Sequence, residues 1–62
     1  MGDPEDKALR RVINGRKLIA EQKLRIERFR AKGRDTAAAE QLLAEYERSQ
    51  AIFENDLKKL IE

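Results

Sequence analysis

Residues at alternating intervals of four and three, from Ala8 to Phe29 and from Ala39 to Leu60, are apolar except for Gly15, Gln22 and Gln50, and the two stretches are separated by Gly33-Arg34-Asp35-Thr36. Such heptad spacing places one apolar stripe along an α-helix and is typical of coiled coils. Gly33 follows a basic residue, as at many helix C-termini, and Asp35 or Thr36 can cap a following helix. The pattern therefore predicts an all-α fold, an antiparallel two-helix hairpin of coiled-coil type.

The predicted hairpin is a single domain that covers residues 1–62. The first helix is expected from about residue 4 to 32, the turn at 33–35 and the second helix from about 36 to 61. Asp3 suits the N-cap of the first helix, and Pro4 suits its first position. The carboxylates of Glu5 and Asp6 would then favour the positive end of that helix.

The two apolar stripes predict the seam along which the helices pack. Folding the second helix back on the first aligns Phe29 with Ala39 and Gly15 with Phe53. We therefore expect Gly15 to make room for the Phe53 ring, with a hinge or a close contact to a ligand as the alternative. The seam residues are Val12, Gly15, Ile19, Gln22, Ile26, Phe29, Leu43, Tyr46, Gln50, Phe53, Leu57 and Leu60.

Charged residues beside the seam support the same register. On one side, Arg16, Lys23 and Arg30 of the first helix are expected opposite Glu54, Glu47 and Glu40 of the second helix. On the other side, Arg11 is expected opposite Asp56. Exposed ion pairs contribute only ~0–1 kcal/mol each, so these pairs specify alignment more than stability.

Two glutamines interrupt the apolar seam, and buried amides need hydrogen-bond partners. We expect Gln22 and Gln50 to bond Tyr46 or each other across the hairpin. The alternative is a polar site for a small molecule, formed inside a bundle by the same three side chains.

A 62-residue chain without cysteine or histidine has neither disulfides nor the usual transition-metal ligands to stabilise it. Further apolar residues lie off the seam, and one partner helix cannot cover all of them. We expect a second copy to bury them in a homodimeric four-helix bundle, with docking on a partner protein as the alternative. The residues of this predicted partner face are Leu9, Ile13, Leu18, Leu24, Leu42, Ile52 and Ile61.

No residue set in the sequence predicts a chemical reaction. Histidine and cysteine are absent, and Ser49 is the only serine, so no nucleophile–base pair or cofactor site is expected. No apolar run is long enough for a signal peptide or a membrane span. We therefore expect a cytoplasmic, non-enzymatic interaction module without cofactor or metal.

Binding of RNA or DNA is the alternative function. Residues 1–33 carry ten basic and five acidic residues, whereas residues 34–62 carry four basic and seven acidic residues. A basic stripe on the first helix, with Arg10, Lys17, Arg25 and Arg28, is suited to phosphates. No aromatic residue lies among these side chains to stack on bases, which disfavours this alternative.

Several segments of the sequence carry a resemblance to other proteins: Gly15-Arg16, Ile19, Gln22, Ile26-Glu27-Arg28, Gly33-Arg34-Asp35-Thr36-Ala37, Glu40 and Leu42-Leu43. In these segments the sequence is similar to a family of uncharacterised alphaproteobacterial hairpin proteins and C-terminal tails, some attached to signalling proteins. The resemblance covers about half of the chain and implies a helical hairpin without assigning an activity; Phe29 departs from the leucine expected there. In architecture alone the chain also resembles the repressor of primer family, whose dimeric hairpins bind RNA.

Overall fold

A computed structural model describes residues 3–62 as a helical hairpin; Met1 and Gly2 lie outside the described part of the chain. Helix α1 (Pro4–Ala31) and helix α2 (Ala37–Ile61) run antiparallel and pack against each other along their length. The molecule measures 45 × 18 × 15 Å. Both helices begin and end within one residue of the predicted positions, and the predicted hairpin is confirmed.

Helix α1 begins with the residues that the sequence placed there. The Asp3 carboxylate accepts a hydrogen bond of 2.9 Å from the Asp6 backbone N–H, and Pro4 is the first helical residue. This bond pairs one of the N–H groups that have no acceptor within the first turn. Glu5 and Asp6 add negative charge at the positive end of the helix.

The turn is fixed by backbone hydrogen bonds around Gly33. Its N–H donates to the Arg30 carbonyl at 3.1 Å, and the Arg34 N–H donates to the Phe29 carbonyl at 2.9 Å. These two bonds form a Schellman motif, which requires a left-handed residue after the helix, and Gly33 has φ 72°. Asp35 then caps α2, because its carboxylate accepts a 3.0 Å bond from the Ala37 N–H.

The buried core is narrow and consists of few side chains. Val12 is 1% exposed, and Ala8 and Ile26 are also buried between the helices. The amides of Gln22 and Gln50 are buried beside them. The remaining seam residues are half-buried, except for Leu60 near the end of α2, which is exposed. The half-buried group comprises Gly15, Ile19, Phe29, Leu43, Tyr46, Phe53 and Leu57.

Candidate protein-interaction site

Two buried glutamines join the helices, and each bonds to the backbone of the opposite helix. The Gln22 side-chain amide donates to the Ala39 carbonyl at 2.9 Å. The Gln50 amide donates to the Val12 carbonyl, also at 2.9 Å. The expected bonds to Tyr46 or between the glutamines are therefore wrong. A backbone carbonyl has two lone pairs, so it can accept an amide as well as its helical N–H.

Gly15 makes room for Gln50 and not for Phe53, which corrects the expected pairing. A Cβ atom at Gly15 would lie 2.7 Å from Cδ of Gln50 and would overlap its Oε1. The Gln50 carbonyl therefore occupies the space that a side chain at position 15 would fill. Among the described residues, Gln50 Oε1 is a buried oxygen without a hydrogen-bond partner.

The sequence contains a second pattern, besides the heptad spacing, that indicates these glutamine bonds. Each seam glutamine meets a small residue of the opposite helix, Gly15 for Gln50 and Ala39 for Gln22. A small side chain lets an amide approach the opposing backbone closely. Glutamines that face glycine or alanine across a seam therefore indicate side-chain-to-backbone bonds.

One side of the hairpin, here called the charged side, carries ion pairs between α1 and α2. Arg16 contacts Glu54 at 2.9 Å, and Arg30 contacts Glu40 at 3.0 Å, both in the predicted register. The third predicted pair, Lys23 with Glu47, is not formed in the described part of the chain. The two ion pairs that are present place charged groups across the groove between the helices on this side.

The charged side is linked to the buried amides through Glu54. One carboxylate oxygen accepts from Arg16, and the other accepts a 3.2 Å bond from the Gln50 amide. The Arg16 hydrogen bond, followed by that of Gln50, lowers the pKa of the Glu54 carboxyl below its ordinary value. Glu54 thus connects an exposed ion pair to the core.

The opposite side, here called the open side, has an apolar cavity at the middle of both helices. Its volume is about 210 Å³. The predicted pair of Arg11 with Asp56 is not formed, although both residues line a cavity at one end of the hairpin, and no ion pair crosses the open side within residues 3–62. The open-side cavity brings Tyr46 and Gln50 together but does not include Gln22. The lining residues are Gly15, Leu18, Tyr46, Ser49, Gln50 and Phe53.

The residues of the predicted partner face lie on different sides of the hairpin. Leu18, 45% exposed, lines the open-side cavity. By helical spacing, Leu42 adjoins the same side, Leu9 lies on the charged side seven residues before Arg16, and Ile13 and Leu24 lie on the outer surface of α1. Ile52 lies on the outer surface of α2, and Ile61 lies near the end of α2. The exposed members are Leu9, Ile13, Leu18, Leu24, Ile52 and Ile61, and Leu42 is half-buried.

The hairpin exposes more surface than a compact monomer of its size. Its accessible surface is 5115 Å² for a mass of 7.2 kDa. A monomeric globular protein of that mass is expected to expose only about 4100 Å². The excess is of the size that one partner buries in an ordinary protein–protein interface, ~800 Å².

The predicted nucleic-acid residues are all exposed on α1. By helical spacing, Arg10, Lys17 and Arg28 share the surface of α1 that is farthest from the seam, and Arg25 lies nearer the open side. Glu21 lies between them on the same surface and interrupts the positive stripe. The structure thus gives these cations a common direction but no enclosed site.

Neither helix has a stretch of residues sufficiently long and hydrophobic to cross a bilayer within the described chain. Residues 3–62 contain no cluster of three or more His, Cys, Asp or Glu side chains that suits a metal ion. Comparison with protein-family models, curated proteins and solved structures finds no match to the chain. The resemblance to alphaproteobacterial hairpins stays a prediction.

Proposed function

We propose that this hairpin is a non-enzymatic protein-interaction module, cytoplasmic and bacterial, that completes its packing against another protein chain. The observation that supports the proposal is the excess accessible surface, 5115 Å² against the expected value of about 4100 Å². Few side chains are buried within the hairpin, so much of its apolar surface is available for association. Burial of apolar surface is the main favourable term in such association.

Sedimentation at several micromolar concentrations tests this proposal, together with thermal unfolding. Reversible self-association that stabilises the helices is the expected result. A folded complex with a partner protein that covers the apolar surface would also support the proposal. A hairpin that is stably folded as a monomer, and that shows no gain in stability from any associated chain, would contradict the proposal.

Binding of RNA or DNA is a second candidate function. It is favoured by the common direction of Arg10, Lys17 and Arg28 on the outer surface of α1. Contacts between these cations and phosphates would release counterions, so affinity should fall steeply as salt rises. Charge reversal of Lys17 should weaken binding of any sequence alike, and undetectable binding at low salt would exclude this function.

A further inference from the structure

We propose that a second copy of this chain covers the open side, with the turns of both copies at the same end of a four-helix bundle. This inference rests on the interaction function proposed above and specifies its partner, its surface and its orientation. In this bundle α1 of each copy packs against α2 of the other copy. Leu18 of each copy enters the cavity beside Gly15 of its partner copy.

The choice of surface follows from the difference between the two sides of the hairpin. The charged side already pairs Arg16 with Glu54 and Arg30 with Glu40, and covering it would remove these charges from water. The open side instead has an apolar cavity of about 210 Å³. Apolar cavities of about 150 Å³ can hold a benzene ring, so this volume can receive a leucine side chain.

A single apolar side chain is positioned to fill such a cavity from a second copy. Leu18 projects from the cavity wall and is 45% exposed. Leu18 lines the same cavity that it would fill in the other copy. Under two-fold symmetry, Leu18 of each copy therefore enters the cavity of the other copy.

Two orientations of face-to-face hairpins have two-fold symmetry. If the axis is parallel to the helices, α1 lies over the other copy's α2 and both turns are at one end. If the axis is perpendicular to the helices, α1 lies over the other copy's α1 and the turns are at opposite ends. The two orientations bury the same open side, and charge decides between them.

The decisive charges are on α1, seven residues to either side of Leu18. Arg11 and Arg25 therefore share its direction and lie at nearly equal distances from the midpoint of α1. With turns at opposite ends, Arg11 of each copy would approach Arg25 of the other, which creates like-charge contacts twice. Such contacts disfavour this orientation.

With turns at the same end, the α1 row faces a row on α2 that has the same spacing: Leu42, Ser49 and Asp56. Arg11 then meets Asp56 of the other copy, and Leu18 meets Ser49. At this layer the four helices present arginine and aspartate alternately. The basic first half of the chain, with ten basic and five acidic residues, packs on the acidic second half, with four and seven.

Distances between the two turns test the orientation. Because the chain lacks cysteine, Arg34→Cys provides one spin-label site per copy, away from the proposed interface. Neighbouring helix axes are ~8–10 Å apart, so labels at the same end should be separated by about 20 Å. A distance close to the 45 Å length of the hairpin would overturn the proposed orientation.

Two matched leucines on α1 test the surface. Leu18 and Leu24 are 45% and 52% exposed, but only Leu18 lines the cavity. A buried unpaired carboxylate is costly, so Leu18→Asp should weaken dimerisation by at least about tenfold, whereas Leu24→Asp should change it less than about twofold. Circular dichroism of both variants shows whether the helices remain folded.

The remaining outcomes separate this inference from the proposed function. If the wild-type chain dimerises and Leu18→Asp dimerises equally well, the inference is wrong and the interaction function stands. If Leu24→Asp alone disrupts the dimer, the partner surface is the outer face of α1 and the inference is also wrong. A folded wild-type monomer that binds no second copy overturns the inference, and its stability without any partner then decides the proposed function.

Discussion

At the scale of single residues, the packing of the two helices depends on the side-chain amide of Gln50 and on the glycine at position 15. Gln50 reaches the Val12 carbonyl, and its own carbonyl lies in the space above Gly15. Glycine inside a helix costs about 1 kcal/mol relative to alanine, so position 15 is suboptimal for α1 alone. The close passage of Gln50 explains why a glycine fits here.

A double-mutant cycle between Gly15 and Gln50 measures this dependence. Gly15→Ala displaces the buried amide from Val12, so in the wild-type background the gain in helix propensity should be cancelled or reversed. In the Gln50→Ala background the same substitution should stabilise the protein by about 1 kcal/mol. Chemical denaturation of the four proteins gives the coupling energy. An equal effect of Gly15→Ala in both backgrounds would contradict the proposed contact.

At the scale of elements, the turn determines how α1 returns as α2. The Schellman bonds from Gly33 and Arg34 satisfy the last carbonyls of α1, and Arg34 also lies over the Phe29 ring at 5.9 Å. The left-handed backbone of Gly33 is the only such conformation in the described chain. This one residue therefore controls the direction in which the second helix leaves the turn.

Gly33→Ala should lower the free energy of unfolding by about 1–2 kcal/mol, because a Cβ atom is unfavourable in the left-handed region. No other atom lies within 4 Å of the added Cβ among the described residues, so the cost comes from the backbone alone. Gly33→Asn is the matched control and should cost less, since asparagine tolerates this region. Urea denaturation provides the comparison, and equal stabilities of the alanine and asparagine variants would argue against this explanation.

The Arg16–Glu54 contact between the two helices predicts a dependence on pH. Because the folded state lowers the pKa of Glu54, its contribution to stability is present above the ordinary pKa of 4.5. That contribution is lost as the pH falls through the lowered pKa and the carboxyl becomes protonated.

Thermal unfolding between pH 7 and pH 3 checks this dependence, with Glu54→Gln as the test variant. The variant should lose less stability on acidification than the wild-type protein does. Glu47→Gln is a matched control, because Glu47 forms no ion pair in the described part of the chain. If the two variants respond to acid alike, Glu54 has no special role.

The sequence predicted the elements of this fold better than the contacts between them. Asp3, Pro4 and Gly33 act over a few residues, so local rules located the helix ends and the turn. Charge alternation likewise predicted two ion pairs that form. Glutamine has three rotatable side-chain bonds and reaches about one helical turn, so its partner depends on three-dimensional spacing. The heptad pattern therefore located Gln22 and Gln50 on the seam but not their acceptors.

At the scale of the whole molecule, two helices enclose little volume. Val12, Ala8 and Ile26 are the buried apolar residues of the described chain, and every leucine is at least partly exposed. A hairpin of this size is expected to be marginal by itself, because a short chain buries a small fraction of its surface. Association with a second copy would extend this core across the open side.

Linkage predicts that the temperature of unfolding depends on protein concentration. If folding and dimerisation are coupled, a higher concentration favours the folded dimer and raises the melting temperature. Differential scanning calorimetry over a wide range of concentration measures the effect. Leu18→Asp should reduce this dependence. If the melting temperature of the wild-type protein does not change with concentration, the chain unfolds as a monomer.

The antiparallel course of the helices also fixes how the molecule would respond to mechanical force. Pro4 and Leu60 line the same cavity, so the two ends of the hairpin lie together, opposite the turn. A load applied at these ends pulls the helices apart in sequence and does not shear all their contacts at once. The Gln50–Val12 bond would break before the Gln22–Ala39 bond, and the Schellman turn would open last. The hairpin should thus unfold at low force in single-molecule stretching, layer by layer from the end opposite the turn.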